Sequence, residues 1–156
     1  MEIELRETTD DDLSVFWEQL THPGLQQMAA ITRKYHYDRD HFDTHWAKVR
    51  NDPAVLLRTV LADRIVVGHA AVFGPPEERE VTYVIGPEHW GRGIATRALA
   101  ELIRLEDTRP LHAGAVADNA GSIRVLEKCG FTVTGRTRDF AEARGHEVDV
   151  VLLTLG

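Results

Sequence analysis

A β-strand that runs through a double-glycine turn into an amphipathic helix is the feature that most narrows what this chain can become. Glu80 to Ile85 read as a strand closed by Gly86-Pro87. Ile94, Ala95, Ala98, Leu99, Leu102 and Ile103 recur at helical spacing, and His89-Trp90-Gly91-Arg92-Gly93 lies between the two elements. Two glycines let a backbone approach a ligand closely, and the first turn of a helix presents amides with no intrahelical partner. Together they make an anion site suited to phosphate. The same Gly-x-Gly also serves as an unliganded strand-to-helix turn, so support must come from elsewhere in the chain. Two familiar phosphate loops are excluded. A Walker loop places Lys and Ser or Thr after its last glycine, whereas Ile94 and Ala95 follow Gly93. A dinucleotide fingerprint requires a small residue where Thr96 stands, and a later acidic partner that this chain lacks at the expected distance.

The remaining pattern alternates strands and helices. Ile3 to Arg6 predict a first strand, and Thr9 before Asp10, Asp11 and Asp12 predicts a capped helix with Leu13, Phe16, Trp17 and Leu20 on its buried stripe. Leu25, Met28, Ala29 and Ile31 suggest a short helix, and Tyr35-His36-Tyr37 an aromatic loop. Asp38 or Asp40 caps a helix carrying Phe42, Trp46 and Val49, stopped at Asp52-Pro53. Val55 to Leu61 and Ile65 to Phe73 form a hairpin about Ala62-Asp63-Arg64, followed by a turn at Gly74-Pro75-Pro76. A fifth strand follows at Pro110 to Val116, then a helix from Asn119 to Lys128 ended by Gly130 in the left-handed position. Phe131 to Arg138 and Val148 to Leu155 pair last, with Ala143-Arg144-Gly145 near their turn.

Composition bounds the function. The 156 residues suggest one domain over 1–156, long enough to bury a core without disulfides. Lys and Arg number 18 and Asp and Glu 25, a net charge of −7, which argues against binding nucleic acid through a broad basic face. The single cysteine, Cys129, permits no intrachain disulfide, and with no signal-peptide pattern the chain reads as cytoplasmic. No apolar run approaches the roughly 20 residues of a membrane span, so no membrane partner is expected. His41 and His45 sit one helical turn apart, but Phe42 stands where a zinc protease needs glutamate, so they read as a helix face and no metal is expected. Cys129 reads as a small buried apolar residue.

The strand, the Trp90-Gly91-Arg92-Gly93-Ile94-Ala95-Thr96 helix start, the next strand, the Asn119-x-x-Ser122 helix and Lys128-Cys129-Gly130-Phe131 occur in a fixed order. That joint pattern resembles the GNAT superfamily of acetyl-CoA-dependent N-acetyltransferases, and most closely its ribosomal-protein alanine acetyltransferase-like branch. The resemblance is strongest over 80–135, extends from the first strand to Leu155, and is weakest over 21–50. It implies an α+β fold with a mixed, mostly antiparallel sheet of about six or seven strands, flanked by helices and splayed between its fourth and fifth strands. It also implies direct acetyl transfer from acetyl-CoA to a primary amine, on a protein N-terminus or a small molecule, by a monomer or homodimer without metal. The alternative is a non-catalytic acyl-CoA-binding sensor or scaffold.

Carried over residue by residue, the resemblance puts the pantetheine along Tyr83, Val84 and Ile85 and the pyrophosphate on Gly91, Arg92, Gly93, Ile94, Ala95 and Thr96. Trp90 packs beside the cofactor, and Asn119 bonds the pantetheine arm, caps its helix, or does both. The tyrosine that often serves as acid in the family falls on Leu126, so that role passes to Ser122 or water. The glutamate that some relatives place on the fifth strand falls on Gly114, which leaves Glu80 as the candidate base and His112 as runner-up. The acceptor is expected on the side of the first two helices, where Tyr35, His36, Tyr37 and Trp46 offer aromatic walls to a cationic amine.

Overall fold

The computed structural model describes residues 1–25, 38–141 and 145–156. Seven strands form one sheet in the order β1-β2-β3-β4-β5-β7-β6. The strands are β1 (Ile3–Arg6), β2 (Leu56–Ala62), β3 (Ile65–Phe73), β4 (Glu80–Ile85), β5 (Leu111–Val116), β6 (Thr132–Ala141) and β7 (His146–Leu155). All neighbouring pairs are antiparallel except β4 and β5, which run parallel and share a single register pair, Glu80 with His112. Among the described residues the α-helices are α1 (Asp10–Leu20), α2 (Arg39–Asn51), α3 (Ile94–Leu105) and α4 (Ala120–Lys128). Among the described residues no helix is long and apolar enough to cross a membrane.

Alternation along the strands divides the apolar residues between two layers. On one face, α3 and α4 bury Ile94, Ala98, Leu99, Leu102 and Leu126 against Val60, Val67, Val72, Leu111 and Leu153. On the other, α1 and α2 bring Phe16, Phe42 and Trp46 together with Leu57 and Val66. The predicted α1 stripe packs there, and two polar residues are buried with it. Gln19 donates to the Val67 carbonyl at 2.8 Å. Asp12 accepts from both Arg6 guanidinium nitrogens, at 2.7 and 2.9 Å, from the Thr9 amide at 2.9 Å and from the Thr59 hydroxyl at 2.8 Å. The acidic run expected to complement the helix dipole thus also contributes a buried tie between β1, α1 and β2.

The β2–β3 hairpin turns on Asp63 and Arg64, both at positive φ, and Gly130 takes the expected left-handed position after α4 at φ +97°. The last hairpin is longer than its apolar pattern predicts. Pairing continues through Arg138–Asp149, Asp139–Val148, Phe140–Glu147 and Ala141–His146. β6 is the sheet edge, and Arg138 lies 3.5 Å from Glu147 and 3.4 Å from Asp149, so charge across the strands replaces apolar alternation. The short helix expected from Met28, Ala29 and Ile31, the aromatics Tyr35, His36 and Tyr37, and Ala143-Arg144 lie outside the described residues.

Close packing between β3 and β4 requires Gly68. A Cβ there would lie 1.9 Å from the Val84 carbonyl oxygen, so only glycine lets the strands approach at this point.

Stability should depend on pH through Asp12. Burial raises its pKa, but the Arg6, Thr9 and Thr59 hydrogen bonds outweigh that and hold it at about 2, against 3.8 ordinarily. A depressed carboxylate stabilises the fold above its unfolded pKa and loses that contribution as pH falls through the folded value. The difference corresponds to about 2 kcal/mol. Resistance to urea unfolding should therefore weaken progressively as pH falls from about 4 to 2, and Asp12→Asn should cost about 2–4 kcal/mol at pH 7 and flatten that dependence.

Candidate active site

Beyond Glu80 and His112 the edges of β4 and β5 diverge, leaving Val81–Ile85 with no strand partner on the β5 side. A cleft of about 590 Å³ opens there, lined by β4, the glycine turn, the start of α3 and one face of α4. Of the residues singled out for cofactor binding, Tyr83, Val84, Ile85, Trp90, Gly91, Gly93, Ile94, Ala95, Thr96, Asn119 and Ser122 line it. Arg92 points elsewhere, with its guanidinium 3.7 Å from the Met1 sulfur.

The turn is built to leave its amides open. Gly91 and Gly93 both have φ +77°, and a Cβ on either would meet no protein atom within 4 Å. Gly93 is the N-cap of α3 and supplies no side-chain cap, so the first-turn amides keep their hydrogen-bonding capacity. Trp90 donates its indole N–H to the Ile85 carbonyl at 2.8 Å, which fastens the turn to the end of β4 while the residue stays 42% exposed. Asn119 accepts from the Ser122 amide at 3.1 Å and so caps α4. Arg124, Lys128 and His89 also line the cleft and give it cationic or polar walls. Sequence reading passed over these three. The helical spacing of Arg124 and Lys128, i and i+4 on the face that carries Gly121 and Val125, was the available signal.

The most consequential omission is the Tyr83 side chain. Its hydroxyl lies 2.8 Å from the Ser122 hydroxyl and 3.2 Å from the Ser122 carbonyl, so two proton carriers meet in the cleft. Burial pushes the Tyr83 phenol up and outweighs the opposing Ser122 hydrogen bond, keeping the phenol protonated at neutral pH. Cys129 donates weakly to the Thr96 carbonyl at 3.5 Å, and burial raises its thiol pKa, as befits an unreactive packing residue.

A second cavity of about 620 Å³ lies on the α1–α2 side of the sheet, and Val84 and Leu25 line both cavities. Its walls include Phe16, Phe42, Trp46 and His69. The His69 ring is 4.7 Å from Phe16 and 4.9 Å from Trp46, and burial followed by the nearby His45 lowers its pKa to about 4. His45, read from sequence as part of a helix face, also lines this cavity.

Glu80 and His112 stand at the closed end of the wedge. Neither lines either cavity, but Glu80 shares its strand face with Thr82 and Val84 and pairs with Phe73, all three of which line the second. Burial raises the Glu80 pKa against the opposing influence of His112. The His112 Nδ1 is 3.2 Å from the Thr154 hydroxyl. Leu126, where the family often has tyrosine, is buried in the α3–α4 core.

A family model described as an acetyltransferase (GNAT) domain matches residues 2–132. An uncharacterized N-acetyltransferase p20 of Bacillus licheniformis is 32% identical over 80 residues, 49% of this chain, and the match spans only 45% of that relative's length. Among solved structures, a spermidine N-acetyltransferase from Vibrio cholerae, in complex with CoA and spermine, superposes with TM-score 0.84 at 18% identity, covering 98% of this chain and 94% of that one. A ribosomal-protein-alanine N-acetyltransferase from Brucella melitensis gives TM-score 0.81 at 24% identity, covering 99% and 98%. The microcin C7 self-immunity acetyltransferase MccE, in complex with acetyl-CoA and AMP, gives 0.80 at 15%, covering 98% and 91%.

The glycine turn generates a direct test. Gly93→Val should cost about 1–2 kcal/mol through its left-handed backbone yet leave the chain folded by circular dichroism, because the added atoms meet open space. It should weaken binding of coenzyme A at least about tenfold by calorimetry, because those atoms project into the cleft. Unchanged affinity in the folded variant would mean that the turn holds no ligand.

Proposed function

The chain belongs to the acetyltransferase (GNAT) domain family, and from that premise we propose that it moves the acetyl group of acetyl-CoA to a primary amine by direct attack in a ternary complex. The proposal takes residues 1–156 as one catalytic domain. The observation that carries it is the meeting of two cavities across β4 at Val84 and Leu25, one bordered by the glycine turn and the start of α3 and the other walled mostly by apolar side chains. A donor and an acceptor brought to opposite sides of one strand need no covalent enzyme intermediate.

The cleft residues fit coenzyme A. The open space where Cβ atoms of Gly91 and Gly93 would stand admits a pyrophosphate to the backbone of Gly91–Thr96. Arg124 and Lys128 supply positive charge to a phosphorylated ligand. The unpaired edge of Tyr83, Val84 and Ile85 offers backbone groups to an amide-bearing pantetheine, with Trp90 packed alongside and Asn119 at its other wall. The bound donor supplies an activated thioester, whose acyl carbon gains an N–C bond as its C–S bond breaks and the thiolate departs. Ser122 and Tyr83 hold the proton that this thiolate receives, so their shared hydrogen bond takes the place of the tyrosine absent at Leu126. Glu80, held above the ordinary carboxylate value by burial, accepts the ammonium proton from the acceptor face through water, and the second proton that the nitrogen sheds on becoming an amide restores the one that Ser122 and Tyr83 gave to the thiolate.

Thiol release from acetyl-CoA against a panel of amines tests the reading. Acetyl-CoA at a hundred times its dissociation constant should stabilise the fold by about 2.7 kcal/mol, visible as a higher melting temperature. Binding without thiol release from any amine would instead favour an acyl-CoA sensor. Tyr83→Phe and Ser122→Ala should each lower kcat by about tenfold or more while leaving cofactor affinity within a few fold. Glu80→Gln should lower kcat/KM by on the order of 10²-fold at pH 7, with the loss shrinking at high pH where the amine deprotonates itself. The acid limb of the wild-type profile should lie above the ordinary glutamate value, because burial raises this pKa. Normal turnover of Glu80→Gln across the pH range would move the base to His112 or to water.

A further inference from the structure

The second cavity has a chemistry that the family membership does not supply. Its walls are mostly aromatic and aliphatic: Phe16, Phe42, Trp46, Leu57 and Phe73 dominate. Among its described lining residues Asp52 is the only carboxylate, and no lysine or arginine contributes. Asp52 is exposed at the C-cap of α2, so it stands at the rim rather than in the depth. The two lining imidazoles do not supply a fixed cation. His69 has a buried Nδ1 with no hydrogen-bond partner, and an imidazolium there would leave an N–H unsatisfied between two aromatic rings. Burial likewise lowers the pKa of His45.

We infer that the acceptor is a small primary monoamine with an arylalkyl body, seated in this chamber with its amino group toward Val84. The inference rests on the acetyl transfer proposed above and names its substrate class. The chamber's volume, about 620 Å³, lies in the range of small-molecule sites. Its rings provide the apolar and ring–ring contacts that an arylalkyl body uses. A polyamine would bring two or more further charges into walls where the described residues offer one carboxylate at the rim, at a heavy desolvation cost. A peptide N-terminus would bring several amide groups against described walls whose polar side chains, beside the Trp46 indole, are Thr82, Asp52 and the two imidazoles alone. The apolar setting also favours the neutral form of a single amine, the form that attacks a thioester. Part of the deprotonation that an acidic residue at Gly114 would assist is thereby supplied by the chamber itself.

The test compares 2-phenylethylamine, spermidine and an alanine-terminated hexapeptide as acceptors in the thiol-release assay, with acetyl-CoA binding measured separately by melting temperature. The kcat/KM for 2-phenylethylamine should exceed those for the other two by about tenfold or more. Thr82 is exposed and lines the chamber, so Thr82→Trp should fill it. That variant should raise KM for 2-phenylethylamine about tenfold or more while preserving the acetyl-CoA melting shift. Val55→Trp, from a different wall, provides a second filling variant should Thr82→Trp fail to fold. Calorimetric titration of 2-phenylethylamine into the coenzyme A complex should show binding that both substitutions weaken. Preference for spermidine or the peptide, or indifference of 2-phenylethylamine to both substitutions, overturns this inference and leaves acetyl transfer standing. Absence of any acetyl-CoA melting shift overturns the acetyl-transfer proposal and this inference together.

Discussion

Everything in the candidate site depends on β4 and β5 touching at one point and then parting. The contact is a single register pair, Glu80 with His112, where the His112 amide donates to the Arg79 carbonyl at 2.8 Å. One such pair would not hold two strands in place, but the Arg79 side chain fixes the vertex. Its guanidinium donates to Glu106 just past α3, at 2.7 and 3.2 Å, and to the carbonyls of Ala54 and Gly74 at 2.6 and 2.8 Å. Both partners of the ion pair are largely withdrawn from water, and Arg79 keeps the Glu106 carboxyl charged despite the opposing effect of burial. A buried pair of this kind adds little stability relative to apolar packing, but losing one partner is costly. Its role here is therefore geometric: it clamps β4, the end of α3 and the loop before β2 where the wedge closes. On the other side of β4, Gly68 lets β3 approach so tightly that β4 cannot relax toward it.

With the vertex fixed, the two faces of β4 acquire different chemistry by alternation alone. Tyr83 and Ile85 project toward α3 and α4, whereas Thr82 and Val84 reach the aromatic layer of α1 and α2. The first face meets helix amides, cations and hydroxyls; the second meets rings. Gln19 ties that second layer to the sheet by donating to the Val67 carbonyl, which also accepts from the Gly86 amide at 2.9 Å beside the end of β4.

Local chemistry made much of this legible in the sequence. β4 runs from Glu80 to Ile85 as read, because its ends are punctuated by turn residues. The Asn119 cap and the Gly130 terminus follow from residue type. What stayed hidden was the pairing of distant residues. Tyr83 was identifiable as a strand residue near the pantetheine, but its bond to Ser122, 39 positions away, depends on how α4 sits over the wedge. The second cavity was harder still, since Phe16, His45, His69 and Thr82 come from α1, α2, β3 and β4. A histidine at the centre of a strand carries no sign of which rings will flank it. Glu80 remained ambiguous because an acidic residue in the run Glu77-Glu78-Arg79-Glu80 looks solvated until its strand is placed against β5.

The residues that depart from the family pattern make physical sense together. Leu126 is 1% exposed and packs with Ile94, Leu99 and Phe131, so this turn of α4 belongs to the core. A tyrosine there would have to bury its hydroxyl or rotate the helix, which would pull Ser122 from Tyr83. Gly114 lies against Val150 and Leu152 of β7, where a Cβ would make ordinary contacts at 3.5 and 3.9 Å. The backbone therefore does not require glycine at that position, and the missing acid is a matter of chemistry rather than of fit. In the proposed reaction both proton-carrying roles have moved to β4. Glu80 and Tyr83 are three residues apart, an odd separation, so strand alternation places them on opposite faces. A base on the acceptor face and an acid on the donor face of one strand are what a transfer across that strand requires. The base needs no great strength if the chamber already disfavours the charged amine. The acid needs none either, since a thiol is a far better leaving group than an alcohol. The pattern therefore accounts for the lost tyrosine and glutamate without reducing the site to a binding module.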